Sequence, residues 1–290
     1  MGVFKKFSGM LRFRFLLYYA EIRSLFAGSF VYPIDEKVNF VCHRKDFFSK
    51  IIFISKGHEK LEMEWCRSWL EESSPSPFII DCGANIGYFS GFLAQSNPHS
   101  KIICIEGNKN TFSILQETIN KLQVKNISAI NAILAENKEE HYQIPDTPGR
   151  EPWQQARAMS SSDIQTLTLD ELISAGKPSP DLIKIDCEGF EVNILKGGKK
   201  LLNSASTAFL VECNDEALAQ AGTGRKELFG LFRQHNYRLF HLSSFDREGI
   251  LGEEITNEYP SREFNFAAIP DKSNFMNVWS KVLNRLIKVS

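Results

Sequence analysis

The stretch from Phe78 to Ser90, FIIDCGANIGYFS, joins a short apolar run to a turn that contains glycine. Phe78 to Cys82 has the length and composition of a buried strand. Gly83 lets the chain leave that strand in a tight turn, and Gly87 lets a following helix pack closely on the sheet. This pattern predicts a ligand-binding turn at the carboxyl end of a parallel strand.

Similar apolar runs alternate with amphipathic helices along the rest of the chain. The runs are 101–105, 127–134, 181–186, 207–213, 237–242 and 264–269. Such alternation is typical of a parallel sheet covered by helices on both faces. The last two runs are separated by a long loop without a clear helix, which predicts an antiparallel hairpin. The predicted fold class is therefore α/β, with a Rossmann-like, mostly parallel sheet.

The sequence SSPSP at residues 73–77 is the clearest boundary in the chain. Before it, we expect residues 1–72 to form an N-terminal helix and a small β/α appendage, in which VNFVCH and KIIFIS are predicted strands. Residues 73–271 are the predicted main domain. Residues 272–290 are predicted to form a C-terminal amphipathic helix with basic residues on its polar side.

Composition excludes several classes of protein. The 34 Lys and Arg residues nearly balance the 35 Asp and Glu residues, so no global basic field favours a nucleic-acid partner. Six cysteines lack CxxC spacing and lie mostly in apolar runs, which indicates buried thiols in a reducing compartment. The chain has no run of 18 apolar residues. We therefore expect a cytoplasmic protein.

The N-terminal segment leaves two interpretations open. Residues 1–26 carry five basic side chains against one acidic side chain, interleaved with Phe and Leu. Arg12 and Arg14 interrupt the apolar run that a signal peptide would need. A helix packed on the main domain is the favoured interpretation, because apolar helix faces more often join a core. The alternative is a basic interfacial helix that makes peripheral contact with an anionic membrane.

The turn after Cys82 carries the residues expected to bind a cofactor. Asn85 stands where a pyrophosphate-binding G-x-G-x-x-G turn has its middle glycine, which favours S-adenosylmethionine over NAD. Glu106 ends the next strand 19 residues after Gly87 and is placed to accept hydrogen bonds from ribose hydroxyls. The predicted cofactor-binding residues are Asp81, Gly83, Ala84, Asn85, Gly87, Glu106, Asn131 and Ala132.

Further motifs resemble those of the FkbM-type family of S-adenosylmethionine-dependent methyltransferases. They are IIDCGANIG, ICIEGN, TLTLDEL and LIKIDCEGFE. In that pattern the matching positions are Asp81, Gly83, Ala84, Asn85, Gly87, Glu106, Thr168, Leu169, Asp170, Lys184, Ile185, Asp186, Glu188, Gly189, Glu191 and Glu212. Gly107 departs from the usual proline. The resemblance implies the class I methyltransferase fold, with seven strands of which the last is inserted antiparallel, and O-methylation of sugars, glycolipids or small metabolites.

Methyl transfer to a hydroxyl needs positioning and a base. Asp186, which follows the predicted fourth strand, is the first candidate for acceptor positioning or proton removal, and Glu188 is the second. Lys184 is expected to pair with a strand-end carboxylate. His58 could reach the site as a base if the N-terminal segment folds over it. No metal ligand is predicted, and Mg²⁺ is not favoured.

Two other functions remain open from the sequence. An NAD-dependent oxidoreductase could use the same sheet and ribose-binding acid, although the missing middle glycine disfavours it. A non-catalytic, membrane-associated cofactor-binding protein would explain the basic termini but not the acids around Asp186. The expected partner is a small-molecule or glycan acceptor, whose identity the loop at 136–165 does not reveal.

Overall fold

A computed structural model gives the fold of the chain. It describes residues 15, 17–20, 22–23, 28–44, 46–144, 156–160, 162–173, 178–243, 250–256 and 258–288. The strands are β1 (Phe30–Pro33), β2 (Asn39–Cys42), β3 (Phe78–Cys82), β4 (Lys101–Glu106), β5 (Ile127–Leu134), β6 (His141–Gln143), β7 (Arg157–Met159), β8 (Gln165–Leu167), β9 (Leu182–Ile185), β10 (Ala208–Asn214), β11 (Tyr237–His241) and β12 (Glu263–Pro270).

Helices connect most of these strands. They are α1 (Phe47–Ser55), α2 (Lys60–Ser73), α3 (Tyr88–Ser96), α4 (Lys109–Leu122), α5 (Leu169–Leu172), α6 (Glu191–Lys196), α7 (Lys199–Ser204), α8 (Asp215–Gln220), α9 (Arg225–Gln234) and α10 (Ser273–Ile287). The last of these confirms the predicted C-terminal helix.

The central sheet has eight strands in the order β11-β12-β10-β9-β3-β4-β5-β8. β3 pairs in parallel with β4 and β9, and β12 is antiparallel to both β10 and β11. Seven of these strands have the arrangement expected for the class I methyltransferase fold, including the antiparallel hairpin at one end. The eighth, β8, is an addition that pairs in parallel with β5. β8 begins where the polar stretch at 136–165 ends, and that stretch contains the antiparallel pair β6–β7.

One local prediction was wrong. KIIFIS lies in α1 rather than in a strand, because Asp46 caps the first turn and Lys56 ends the helix in a left-handed conformation. After β9, the helices α6 and α7 are separated by Gly197 and Gly198. A Cβ atom at Gly197 would overlap the carbonyl oxygen of Ala135, so the chain passes close to β5 at this point.

Apolar cores lie on both faces of the sheet. One combines strand residues with α6, α7 and α9. In the other, α2 and α10 pack against each other in one layer. Within α2, the rings of Trp65 and Trp69 stack with centroids 5.4 Å apart. Trp279 of α10 lies between Trp65, at 6.0 Å, and Phe240, at 4.6 Å. The helix α2, which precedes the main domain in sequence, therefore belongs to the same core as the sheet, while the three domain boundaries stay predictions.

In the part of the chain that is described, the state of the cysteines and the composition of the helices agree with an ordinary packed core. All six cysteines are free thiols, and all but Cys187 are buried. No helix in the described ranges combines the length and the apolar composition needed to cross a bilayer. Most of the basic N-terminal segment, residues 1–14 and 24–27, lies outside the described residues, so its predicted helix is only partly covered.

Candidate active site

The turn after β3 is built by three left-handed residues, Gly83 (φ 80°), Asn85 (φ 49°) and Gly87 (φ 82°). The N–H groups of Gly83 and Ala84 both donate to the carbonyl oxygen of Ile105, at 3.0 and 2.9 Å. A Cβ atom at position 83 would overlap the carbonyl oxygen of Asp186. The turn therefore contacts the carboxyl ends of both β4 and β9, and only glycine fits at position 83.

Asp81 lies beneath this turn and has 0% of its surface exposed. Ser90 of α3 donates to its Oδ2 atom at 2.5 Å, and Oδ1 has no hydrogen-bond partner in the described structure. Burial raises the pKa of Asp81, opposed by the charge of Lys184 and by the Ser90 hydrogen bond. The geometry gives Asp81 a clear role in holding α3 against the strand. Its direct contact with a cofactor stays a prediction.

Glu106 ends β4 beside the turn. Its Oε2 accepts from Asn85 N–H at 2.9 Å and its Oε1 from Asn108 N–H at 2.7 Å. Burial raises the pKa of Glu106 to about 7, although both backbone hydrogen bonds oppose the shift. Each carboxylate oxygen can accept a second hydrogen bond. The side chain is thus fixed with acceptor capacity left for a ligand hydroxyl.

The predicted adenine-edge residues have structural partners of their own. The Asn131 side-chain amide donates to the carbonyl oxygens of Glu106 and Gly107, at 2.7 and 3.1 Å. Ala132 is buried and pairs with Gln165 of β8. Both residues shape the loop after β4, and their contact with adenine stays a prediction. Close packing at this loop agrees with a glycine at position 107, because a Cβ atom there would lie 2.7 Å from Ile144 Cδ1.

The carboxyl end of β9 holds a buried ion pair. Lys184 Nζ lies 2.5 Å from Asp186 Oδ2, and the Asp186 side chain is 28% exposed. Burial alone would lower the pKa of Lys184, but the carboxylates of Asp186, Glu59 and Asp81 outweigh it and raise that pKa. The expected pairing of Lys184 with a strand-end carboxylate is confirmed. Asp186 is therefore held in a fixed position at the carboxyl end of β9.

Glu188, Glu191 and Glu212 surround Asp186. Burial, with the charges of Asp186, Glu191 and Glu263, raises the pKa of Glu188 to about 8. Burial also raises the pKa of Glu191 to about 7, and its Oε1 accepts from the N–H groups of the preceding loop. The pKa of Glu212 is raised by burial and by its acidic neighbours, and its Oε2 has no hydrogen-bond partner in the described residues. At neutral pH, Glu188 and Glu191 are therefore at least partly protonated.

Residues 58 and 59, between α1 and α2, lie next to this cluster, an arrangement that the sequence raised only as a condition for His58. His58 N–H donates to the Tyr88 hydroxyl at 3.0 Å, and Asn265 Nδ2 donates to Glu59 Oε1 at 3.0 Å. Sequence reasoning missed Glu59 and Asn265. The one available signal was a polar residue inside the apolar run FNFAAIP of β12.

Metal ligands are not grouped in the described ranges. No set of three or more His, Cys, Asp or Glu side chains there has an arrangement that could hold a metal ion. That Mg²⁺ is possible but not favoured stays a prediction.

Comparison with known proteins identifies the family. Residues 81–239 match the Methyltransferase FkbM domain, which is more than half of the chain. The hexuronic acid methyltransferase AglP of Haloferax volcanii is 25% identical over 146 residues, which are 50% of this chain and 59% of that protein. The chain thus matches less than two thirds of that relative's length.

Two solved structures align with the chain only partly. A methyltransferase FkbM from Methylobacillus flagellatus KT aligns with a TM-score of 0.44 and 16% identity, over 67% of this chain and 43% of that chain. The M. jannaschii protein TYW2 in complex with AdoMet aligns with a TM-score of 0.40 and 12% identity, over 83% of this chain and 84% of that chain.

Strand order and the glycine turn define the class I methyltransferase fold. By its sequence match, the chain belongs to the FkbM methyltransferase domain family. This membership favours a methyltransferase over the NAD-dependent oxidoreductase that the turn alone left open.

We predict that Gly83→Ala destabilises the protein and weakens cofactor binding, because the new methyl group would overlap the Asp186 carbonyl oxygen. Gly222→Ala is the matched control: Gly222 also has a positive φ, 76°, but no atom lies within 4 Å of its Cβ position. The control should lose only about 1 kcal/mol from backbone strain, and Gly83→Ala clearly more, as measured by urea denaturation. Equal losses would show that the turn does not need the close approach.

Proposed function

We propose that this protein transfers a methyl group from S-adenosylmethionine to a hydroxyl group of a sugar, glycolipid or small metabolite. The observation that carries the proposal is the convergence of the glycine turn, Glu106 and Asp186 at the carboxyl ends of β3, β4 and β9, respectively. Asn85 bonds to Glu106, and Gly83 packs on Asp186. Ligands of open α/β sheets bind at this edge.

The residues present fit the cofactor. Glu106 would accept from the ribose hydroxyls, since both of its oxygens are already oriented by backbone donors. The unpartnered Oδ1 of Asp81 and the carboxylates beyond it suit a positively charged ligand. When bound, S-adenosylmethionine supplies an activated methyl group on a sulfonium. The protein's part is to orient that methyl group and exclude water from it.

The acceptor would lie beside Asp186, Glu188 and Glu212. Asp186 is fixed by Lys184 and can accept a hydrogen bond from a hydroxyl. Glu188, with its pKa raised by burial to about 8, is largely protonated at neutral pH and can donate one. The resemblance to a hexuronic acid methyltransferase supports a sugar acceptor.

Glu106→Gln should weaken S-adenosylmethionine binding by about 10- to 100-fold, because charge-assisted hydrogen bonds to ribose are lost. Since burial raises the pKa of Glu106 to about 7, binding at pH 7 should release up to about half a proton from this group. Calorimetry in two buffers of different ionisation enthalpy measures both effects.

The matched control for cofactor binding is Glu254→Gln, which removes a surface acid paired with Arg238 and should change neither quantity. Binding of NADH without binding of S-adenosylmethionine would overturn the cofactor assignment. Binding of S-adenosylmethionine without any transfer would support the non-catalytic alternative.

Asp186→Asn should lower kcat by about 100-fold or more if this carboxylate orients the acceptor. The assay uses methyl-labelled cofactor with lipid, glycan and protein fractions of a cell extract. We expect alkali-stable label in the glycan or lipid fraction, because a methyl ether resists alkali and a methyl ester does not. Thermal melting of the variant controls for loss of the buried ion pair. Label in protein alone would contradict a sugar or metabolite acceptor.

We also propose that the N-terminal segment contacts an anionic membrane. Phe15, Tyr18, Tyr19 and Ile22 have the spacing of one helix face and are 69%, 65%, 45% and 37% exposed. The preceding residues carry the basic side chains Lys5, Lys6, Arg12 and Arg14. An exposed aromatic stripe beside basic residues suits the interface of an anionic bilayer.

Replacing Phe15 and Tyr18 together by serine should weaken binding to phosphatidylserine-containing vesicles by about tenfold or more, since their rings would leave the interface. Co-sedimentation measures this, and neutral phosphatidylcholine vesicles provide the electrostatic control. Ile250 is 71% exposed and lies far from the basic segment in the sequence. The matched control variant is therefore Ile250→Ser. Equal sedimentation of all three proteins would remove the N-terminal helix from any membrane role.

A further inference from the structure

The glycine turn, residues 83–87, is also held by the helix α4. The carbonyl oxygen of Ile86 accepts a hydrogen bond from the hydroxyl of Thr118 at 2.7 Å, and the same hydroxyl lies 3.1 Å from the carbonyl oxygen of Ile114. Thr118 is 0% exposed. A Cβ atom at Gly87 would lie 3.5 Å from its methyl carbon, so the helix and the turn are in close contact. The Thr118 hydroxyl is thus a polar link between α4 and the turn.

His43 lies next to this hydroxyl and comes from a part of the chain that the family match does not cover. It follows β2, whereas the match spans residues 81–239. Its side chain is buried. The Nε2 atom lies 2.8 Å from Thr118 Oγ1, and the Nδ1 atom lies 3.2 Å from Glu117 Oε2. A chain of polar contacts therefore runs from Glu117 through His43 and Thr118 to the glycine turn.

The Thr118 hydroxyl has a single hydrogen, and this limits how the chain can be bonded. Carbonyl oxygens only accept, so while that hydrogen goes to Ile86, the Nε2 atom of His43 has to donate to Thr118. The Nδ1 atom faces the carboxylate of Glu117, which also only accepts. All of these hydrogen bonds exist together when both ring nitrogens carry a hydrogen, which is the charged form of the ring.

The neutral form of His43 has one ring hydrogen and cannot make both bonds as a donor. With the hydrogen on Nδ1, the bond to Glu117 is kept, and Nε2 accepts the hydrogen of Thr118, which then no longer goes to Ile86. With the hydrogen on Nε2, the lone pair of Nδ1 faces a carboxylate, which leaves a buried contact unsatisfied. The charge of His43 therefore determines whether the Thr118 hydroxyl bonds to the turn.

The charged groups around His43 come from α4 and from the start of α1. Burial lowers the pKa of His43, and the charge of Lys121 adds to that shift; the charge and the hydrogen bond of Glu117, and the charge of Asp46, oppose it. The net direction is down from the ordinary His value of about 6.5. At neutral pH the ring is therefore mostly neutral, and it gains its charge as the pH falls.

We propose that His43 is a positioning residue for the glycine turn: its protonation directs the Thr118 hydroxyl to Ile86 and tightens the binding of S-adenosylmethionine. The inference rests on the cofactor proposed above. A proton from solvent adds to Nε2, and the hydrogen of Thr118 turns from the ring to the carbonyl oxygen; no other bond changes. By linkage, binding of the cofactor also favours the uptake of a proton by His43.

His43→Gln tests the inference in the full-length protein, because an amide does not titrate. Calorimetry measures the S-adenosylmethionine dissociation constant of variant and wild type between about pH 5 and about pH 8. Glu106 titrates in both proteins, so its effect cancels in the ratio of the two constants. The constant of the variant divided by that of the wild type should rise about two- to tenfold as the pH falls, the effect of one hydrogen bond. His99→Gln, at an exposed position just before β4, is the matched control and should follow the wild type.

Thr118 provides a second pair of variants. Thr118→Ser keeps the hydroxyl and should keep the wild-type pH dependence. Thr118→Val removes the hydroxyl and should lose the part of the pH dependence that belongs to His43, so that adding His43→Gln to it changes nothing further. Thermal melting shows which variants fold, and the Thr118 pair tests the inference even where His43→Gln does not.

Three results would overturn the inference. One is a folded His43→Gln protein with the wild-type pH dependence, and another is a Thr118→Val protein with that dependence. The third is a ratio of dissociation constants that is equal at every pH, which is what a purely structural role of His43 would give. A wild-type protein that binds no S-adenosylmethionine at any pH would instead overturn the proposed function, and the inference with it.

Discussion

The ammonium group of Lys184 lies inside the sheet, at a point where the ends of several strands meet. A buried charge of this kind is stable only when compensated, and Asp186, Glu59 and Asp81 provide the compensation. The three carboxylates come from β9, from the N-terminal turn and from β3. One cation thus ties together β3, the end of β9 and a segment from outside the part of the chain that matches the family. Phe89 of α3 adds its ring at 5.5 Å from Nζ.

The same cluster makes the folding stability of the protein depend on pH. Burial raises the pKa of Glu106 and Glu191 to about 7, and burial with nearby acids raises that of Glu188 to about 8. Between the ordinary Glu value of about 4.3 and these raised values, the folded state binds more protons than the unfolded state. Folding stability therefore declines as pH rises through that window. A ligand with a positive centre offsets the repulsion, so the site is electrostatically suited to a sulfonium.

The fold was largely predictable because its signals are local. β3, its turn and Glu106 follow one another within 78–106, and each residue type has a conformational reason to be there. The contacts around the turn at 56–59 were not predictable in the same way. Glu59 and Asn265 are 206 residues apart in sequence, and no local pattern connects them. The strand prediction for KIIFIS was wrong for another reason: the capping residues Asp46 and Lys56 outweighed a β-rich composition.

The backbone at the two edges of the sheet limits how copies of the protein can associate. At one end, β8 is only three residues long. At the other, residues 252–255 run along β11: Ile255 N–H donates to Leu239, Gly252 N–H to His241, and His241 N–H to Glu253. Strand edges that are short or already hydrogen-bonded offer little backbone to a second copy. An oligomer of this protein would thus be built from helix faces rather than by continuing the sheet from one subunit into the next.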